Sequence, residues 1–219
     1  FQYHVGRMNH TKADPNESVR EFWKRRLAQH MDDTYRGRRL AKMPEDLRTY
    51  QHVIEDSQPT TIVELGTYQG GSALWFADQL SIFGGKARVV TVDIAPVVPL
   101  LGDPRIHRLT GDLADPKIVK QVYRLVKGQR VMVVDDSAHT HESTEAALRN
   151  YADLVSPGCW FVVEDGIVDD PDLVLDSWHT RGVQPAVEEF LAENPRFVRH
   201  EMAMYGLTTD IGGWLQASK

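Results

Sequence analysis

From Thr60 onward, short apolar runs rich in β-branched residues alternate with longer amphipathic stretches. Thr61-Ile62-Val63-Glu64-Leu65, Arg88–Asp93, Arg105–Leu109, Val131–Asp135 and Trp160–Glu164 predict strands, being too short and too branched for helices. Ser72–Phe83, Pro116–Lys127, His141–Val155 and Pro185–Asn194 predict the helices between and after them. Phe197–Met202 and Leu207–Leu215, joined through Met204-Tyr205-Gly206, predict a terminal hairpin that adds one antiparallel strand. Near-continuous apolar strands separated by helices predict a doubly wound, Rossmann-like α/β fold with a seven-stranded, mostly parallel sheet.

Before Thr60 the period is helical. Val19, Phe22, Trp23 and Leu27 recur at spacings of three and four, predicting a helix over 16–30. A break over Asp32–Gly37 follows. Pro44 then opens a helix to Ser57, with Leu47, Tyr50, Val53 and Ile54 on one face. The expected organisation is an N-terminal helical extension, 1–58, followed by a sheet domain, 59–219. The extension is expected to serve as a lid or acceptor-side element, or as a plain packing layer. Phe1–Arg7, ahead of Met8, is read as a remnant outside the fold. The acidic loop Asp169–His179, with Pro171 and Trp178, is placed to cover a site.

Composition narrows the partners. Of 219 residues, 25 are Lys or Arg and 31 are Asp or Glu, giving a net charge of −6 that argues against nucleic acid and anionic membrane. Hydrophobic residues make up 42%, enough for a full core. The run Tyr35-Arg36-Gly37-Arg38-Arg39 is expected to flank a helix rather than to bind an anion. No 18-residue apolar run and no charged-then-apolar leader is present. The single cysteine, Cys159, excludes an internal disulfide and points to a reducing compartment, hence a cytoplasmic location.

Chemistry gathers where the apolar runs stop, which in such a sheet is the ligand-binding carboxyl edge. Asp136 and His139 lie in V-V-D-D-S-A-H-T-H (133–141), and Glu164 and Asp165 in W-F-V-V-E-D-G (160–166). Converging carboxylates suit a hard divalent cation, and a histidine three residues past the first adds a proton acceptor near neutral pH. Asp135 competes with Asp136 as ligand, the spacing to His139 favouring Asp136. His141 falls at a helix start and is expected to cap it or to face solvent. In E-L-G-T-Y-Q-G-G-S (64–72), Gly66, Gly70 and Gly71 follow the first sheet strand, but Tyr68 stands where a dinucleotide dehydrogenase would place its second glycine. Asp93 ends the next strand, placed for ribose hydroxyls. Asp112 follows in T-G-D-L-A-D, whereas Asp115 before Pro116 reads as an N-cap.

The glycine segment resembles motif I of class I S-adenosylmethionine methyltransferases. With the acidic segments, about Tyr35 to Leu215 resembles the family of cephalosporin hydroxylase-type and rhamnosyl O-methyltransferases, and is similar to the mycinamicin and macrocin sugar O-methyltransferases. That resemblance implies a class I methyltransferase fold. It assigns S-adenosylmethionine to Glu64, Gly66, Gly70, Gly71, Ser72, Asp93, Asp112 and Asp135, and Mg²⁺ to Asp136, Glu164 and Asp165. His139 becomes the general base, beside Asp136. The implied reaction is O-methylation of a sugar or glycoside hydroxyl, of methylmannose or rhamnose type, on a small-molecule or oligosaccharide acceptor, by a homodimer. Trp178, Tyr35 and Trp23 are candidate acceptor walls, with packing the stronger expectation for Trp23. A catechol acceptor would use the same metal logic. An iron-dependent hydroxylase would need two histidines and one carboxylate, and a non-catalytic cofactor-binding partner would show no turnover.

Overall fold

The computed structural model describes residues 14–83, 87–95 and 102–219; the expected remnant Phe1–Arg7 lies outside them. Helix α1 (Val19–His30) begins at Ser18, whose hydroxyl accepts from the Glu21 N–H while the Glu21 carboxylate accepts from the Ser18 N–H. Trp23, Leu27 and His30 are its buried positions; Val19 faces solvent, contrary to the expected stripe. The expected break is a tight hairpin of β1 (Thr34–Tyr35) and β2 (Arg38–Arg39), turning through Arg36 and Gly37 at positive φ. The basic run forms a hairpin that flanks two helices, as expected: Arg39 donates to the carbonyl of Met31, the C-cap residue of α1, and Tyr35 to Asp78. Helix α2 (Pro44–Ser57) starts on its proline as expected.

The sheet comprises β3 (Thr61–Leu65), β4 (Arg88–Asp93), β5 (Ile106–Thr110), β6 (Val131–Asp135), β7 (Trp160–Val163), β8 (Phe197–Arg199) and β9 (Trp214–Ala217). Its order is β5-β4-β3-β6-β7-β9-β8, parallel except for β9, which runs antiparallel to both neighbours. Every residue of β3, β6 and β7 is buried, as a sheet covered on both faces requires. Helices α3 (Gly71–Phe83), α4 (Pro116–Leu125), α5 (His141–Tyr151) and α6 (Val183–Glu193) connect and cover it. Asp115 caps α4 through the Lys117 N–H.

Alternation along the strands sorts the core into two layers. Val63, Leu65, Val131, Val133, Phe161 and Val163 pack with α4, α5 and α6, whereas Ile62, Met132, Val134, Trp160, Val162 and Trp214 pack with α2 and α3. A third cluster, Trp23, Leu27, Met43 and Ile167, seats α1 against the 169–179 segment, where Trp23 Nε1 donates to the Leu173 carbonyl. Cys159 is fully buried, with Sγ 3.8 Å from the Ser57 carbonyl. No helix among the described residues is long and apolar enough to cross a membrane.

The last strand departs from expectation. Leu207–Gly213 is irregular and β9 begins only at Trp214, because this segment crosses the 163–167 chain at close range. A Cβ on Gly213 would lie 1.8 Å from the Val163 carbonyl oxygen. The crossing segment meets its backbone needs laterally: Val163 N–H donates to Gly213 and Ile167 N–H to Thr209, both at 2.9 Å.

Candidate active site

β3 and β6 are neighbours whose connections leave in opposite directions, so their carboxyl ends open the crevice in which doubly wound sheets bind ligands. Two backbone contacts tie the loops there together. The Asp136 N–H donates to the Leu65 carbonyl at 2.7 Å, and Gly66 lies so close that a Cβ on it would fall 1.8 Å from the Asp136 carbonyl oxygen. Gly66 is also at φ +98°, a conformation that suits only glycine.

Asp136, His139 and Asp165 converge, each offering a ligand atom within 4.8 Å of the others. His139 Nε2 is 3.7 Å from Asp136 Oδ1 and 3.4 Å from Asp165 Oδ2. All three are about a quarter exposed or less, so they are reachable without being fully solvated. His139 and Asp165 both sit in the left-handed region, at φ 53° and 56°, a cost tolerated where a side chain must be aimed. Two expected residues stay out of this group: Asp135 shares the alternation of Val131 and Val133, and Glu164 is turned to Lys42 and Tyr50.

Behind Asp136 lies Lys42, 2% exposed. Its ammonium donates to Asp136 Oδ2 at 2.8 Å and to Glu164 Oε2. Glu164 takes a second bond from the Tyr50 hydroxyl, 2.6 Å from Oε1. Burial alone would lower the Lys42 pKa, but the charges of Asp136 and Glu164 raise it well above the usual ammonium value. Glu164 goes up, from burial first and the Asp136 charge second, with Lys42 and Tyr50 pulling it back. A further acid pair supports the rim. Asp46 Oδ2 accepts from the N–H and hydroxyl of Thr209, while Asp210 Oδ1 accepts from the Asp165 N–H at 3.1 Å. Burial lifts Asp46 to about 6 and, with the Asp46 charge, raises Asp210 well above its ordinary value.

The glycine-loop side carries two buried carboxylates with an unpartnered oxygen each, Glu64 Oε1 and Asp135 Oδ1. Burial raises Glu64 to about 7 against hydrogen bonds from Ser72 and Thr91, and raises Asp135 to about 6 against Ser137. The two point to opposite faces of the sheet, Glu64 with Ile62 and Val134, and Asp135 with Val131 and Val133. Asp93 already receives three backbone N–H groups, from Thr67, Tyr68 and Ala95, each at 2.9 Å, which ties the glycine loop to β4 and leaves about one lone-pair position free. Gly71 allows close packing on Arg39, where a Cβ would lie 2.1 Å from the carbonyl oxygen. Asp112 is exposed and closes its own turn onto Ala114. His141 opens α5 and pairs with Glu189 on α6 at 3.1 Å, apart from the acidic group.

The family model described as rhamnosyl O-methyltransferase/CmcI matches residues 27–217. The chain belongs to this family. As a member of the rhamnosyl O-methyltransferase/CmcI family, it is an S-adenosylmethionine-dependent O-methyltransferase. The rhamnosyl O-methyltransferase of Mycobacterium bovis (strain BCG / Pasteur 1173P2) is 29% identical over 193 residues, covering 83% of this chain and 77% of the relative. Among solved structures, CmcI in an Mg-SAM form is similar with TM-score 0.65 and 23% identity, over 86% of this chain and 78% of that one. The MycE methyltransferase of the mycinamycin pathway, in complex with Mg and SAH, has TM-score 0.55 and 18% identity, over 78% of this chain and 48% of that one. Both likenesses extend to the fold: a seven-stranded, mostly parallel α/β sheet.

A polar role around the acidic group for Lys42, Asp46 and Tyr50 escapes a reading of apolar periodicity. They stand at intervals of four across the start of α2, so one buried face carries the whole polar stripe. That face was expected to be apolar, through Leu47, Tyr50, Val53 and Ile54. Lys-x-x-x-Asp-x-x-x-Tyr was the available signal.

Proposed function

We propose that the protein methylates a sugar or glycoside hydroxyl, with Mg²⁺ held at Asp136, Asp165 and Glu164 and with His139 as the base. The observation that carries this reading is the convergence of Asp136, His139 and Asp165, reachable from solvent at the sheet's carboxyl edge. The donor set fits a hard divalent ion: carboxylate oxygens on two adjacent strand ends, with one imidazole beside them. A single histidine with several carboxylates is the wrong set for an iron oxygenase. S-adenosylmethionine is assigned to the crevice beside it, with Glu64, Gly66, Gly70, Gly71, Ser72, Asp93, Asp112 and Asp135 as its residues; Glu64 and Asp135 stand on opposite faces of the sheet at the ends of β3 and β6.

Mg²⁺, when bound, stabilises a developing alkoxide and so lowers the pKa of an acceptor hydroxyl. On Nε2, His139 would accept the proton of the acceptor hydroxyl; bound S-adenosylmethionine would supply the methyl group, its sulfur–methyl bond breaking to leave the neutral thioether. Asp136 and Asp165 flank that imidazole, with Oδ1 and Oδ2 at 3.7 and 3.4 Å from Nε2. Trp178, partly buried and edge-on to His30, supplies an apolar wall of the kind a pyranose face packs against.

A panel of mannosides, methylated mannosides, rhamnosides and catechols, assayed with labelled S-adenosylmethionine, tests this directly. Transfer to glycosides is expected with Mg²⁺ and is expected to vanish in EDTA. Turnover on catechols alone would remove the sugar assignment. Full activity in EDTA would remove the metal.

A further inference from the structure

Lys42 is a buried ammonium set among the carboxylates assigned to the ion. It is 2% exposed, and its two polar partners within reach are Asp136 and Glu164, which lie on different strand ends. Tyr50 holds the other oxygen of Glu164 from the same helix face. The sheet's alternation explains the meeting: Asp136 continues the phase of Met132 and Val134, and Glu164 that of Trp160 and Val162, so both turn toward α2.

We propose that Lys42 is the built-in counter-ion of this centre: it holds Asp136 and Glu164 together in the metal-free protein, and a divalent ion binds against its charge. The proposal rests on the metal assignment made above. Asp136, Glu164 and Asp165, once ionised, carry three negative charges; the ammonium leaves a net of two, the charge one divalent ion neutralises. Two effects compete when that ammonium is removed. Loss of a positioning bond behind metal-bound carboxylates weakens binding by about 10–100-fold. Removal of a like charge close to a doubly charged ion strengthens it, and at the short range and low dielectric of a buried site this effect is larger. The balance therefore favours tighter binding without Lys42, at the expense of a metal-free state in which two buried carboxylates face each other uncompensated.

The test is Mn²⁺ titration of the full chain by calorimetry, with thermal melts of the metal-free form. Lys42→Met is expected to bind Mn²⁺ at least about tenfold more tightly than the parent, to melt lower without metal, and to gain more from Mn²⁺. Lys42→Arg keeps the charge and is expected to stay near the parent affinity. Should Lys42→Met fail to fold, Lys42→Gln retains a donor between the carboxylates, lacks the charge, and carries the same expectation. A parent that binds Mn²⁺ with a neutral variant that binds equally or more weakly overturns the counter-ion role while leaving the metal assignment intact. No Mn²⁺ binding by either protein overturns both.

Discussion

Glu64 has no exposed surface and is the last but one residue of β3, where its carboxyl is raised from 4.5 to about 7 by burial. An acid whose folded pKa is raised stabilises the fold fully below its unfolded pKa. That contribution is lost progressively as pH rises from 4.5 through about 7. The whole effect amounts to about 3 kcal/mol. Glu64→Gln is therefore expected to flatten the fall in metal-free melting temperature across that window, and an unchanged slope would count against the assignment. His139 carries a different expectation. His139→Ala should lower turnover by about 10²–10⁴-fold while affinity for S-adenosylhomocysteine stays within about threefold of the parent. A matching loss of cofactor affinity would make the residue structural. Spacing to His139 favoured Asp136 without closing the choice against Asp135; the strand register, which groups Asp136 with His139 and Asp165, supplies the rest. Lys42 was not legible, since one lysine ahead of a helix looks like an ordinary solvated side chain until the strand ends meet it.

At the scale of elements, α2 is joined to the sheet edge by polar bonds as well as by apolar contact. Tyr50 is fully buried, ringed by Trp75, Phe76 and Trp214, with its hydroxyl on Glu164. Tyr50→Phe keeps the ring and leaves a buried carboxylate oxygen without its donor, so urea unfolding should show a loss of about 1–3 kcal/mol. A change within the error of the measurement would place water or another donor there. The helices and the parallel strands were readable to within a few residues, because burial on both faces leaves apolar runs with clear ends. The hairpin at 34–39 and the late start of β9 were not. The first is two residues per strand, below any period, and the second depends on a backbone crossing that only Gly213 and its distant neighbour Val163 define.

For the molecule as a whole, the glycine loop and the acidic group are joined by backbone contacts across the β3/β6 boundary. Gly66→Ala is expected to impair binding of S-adenosylhomocysteine and of Mn²⁺ together, because its methyl would displace the Asp136 backbone. Gly102→Ala, with open space around it, is the matched control and should leave both unchanged. Loss of one affinity alone would mean the two sites are independent. Cys159, at the amino end of β7, offers a way to watch the fold open. It is the sole cysteine of the sequence, fully buried, with its thiol pKa raised by burial. A disulfide reagent therefore has no target until the chain opens, and the rate of its reaction under native conditions is a clock for opening. Every ligand that tightens the closed form must slow that clock, so occupancy of the crevice becomes readable without any label, chromophore or turnover.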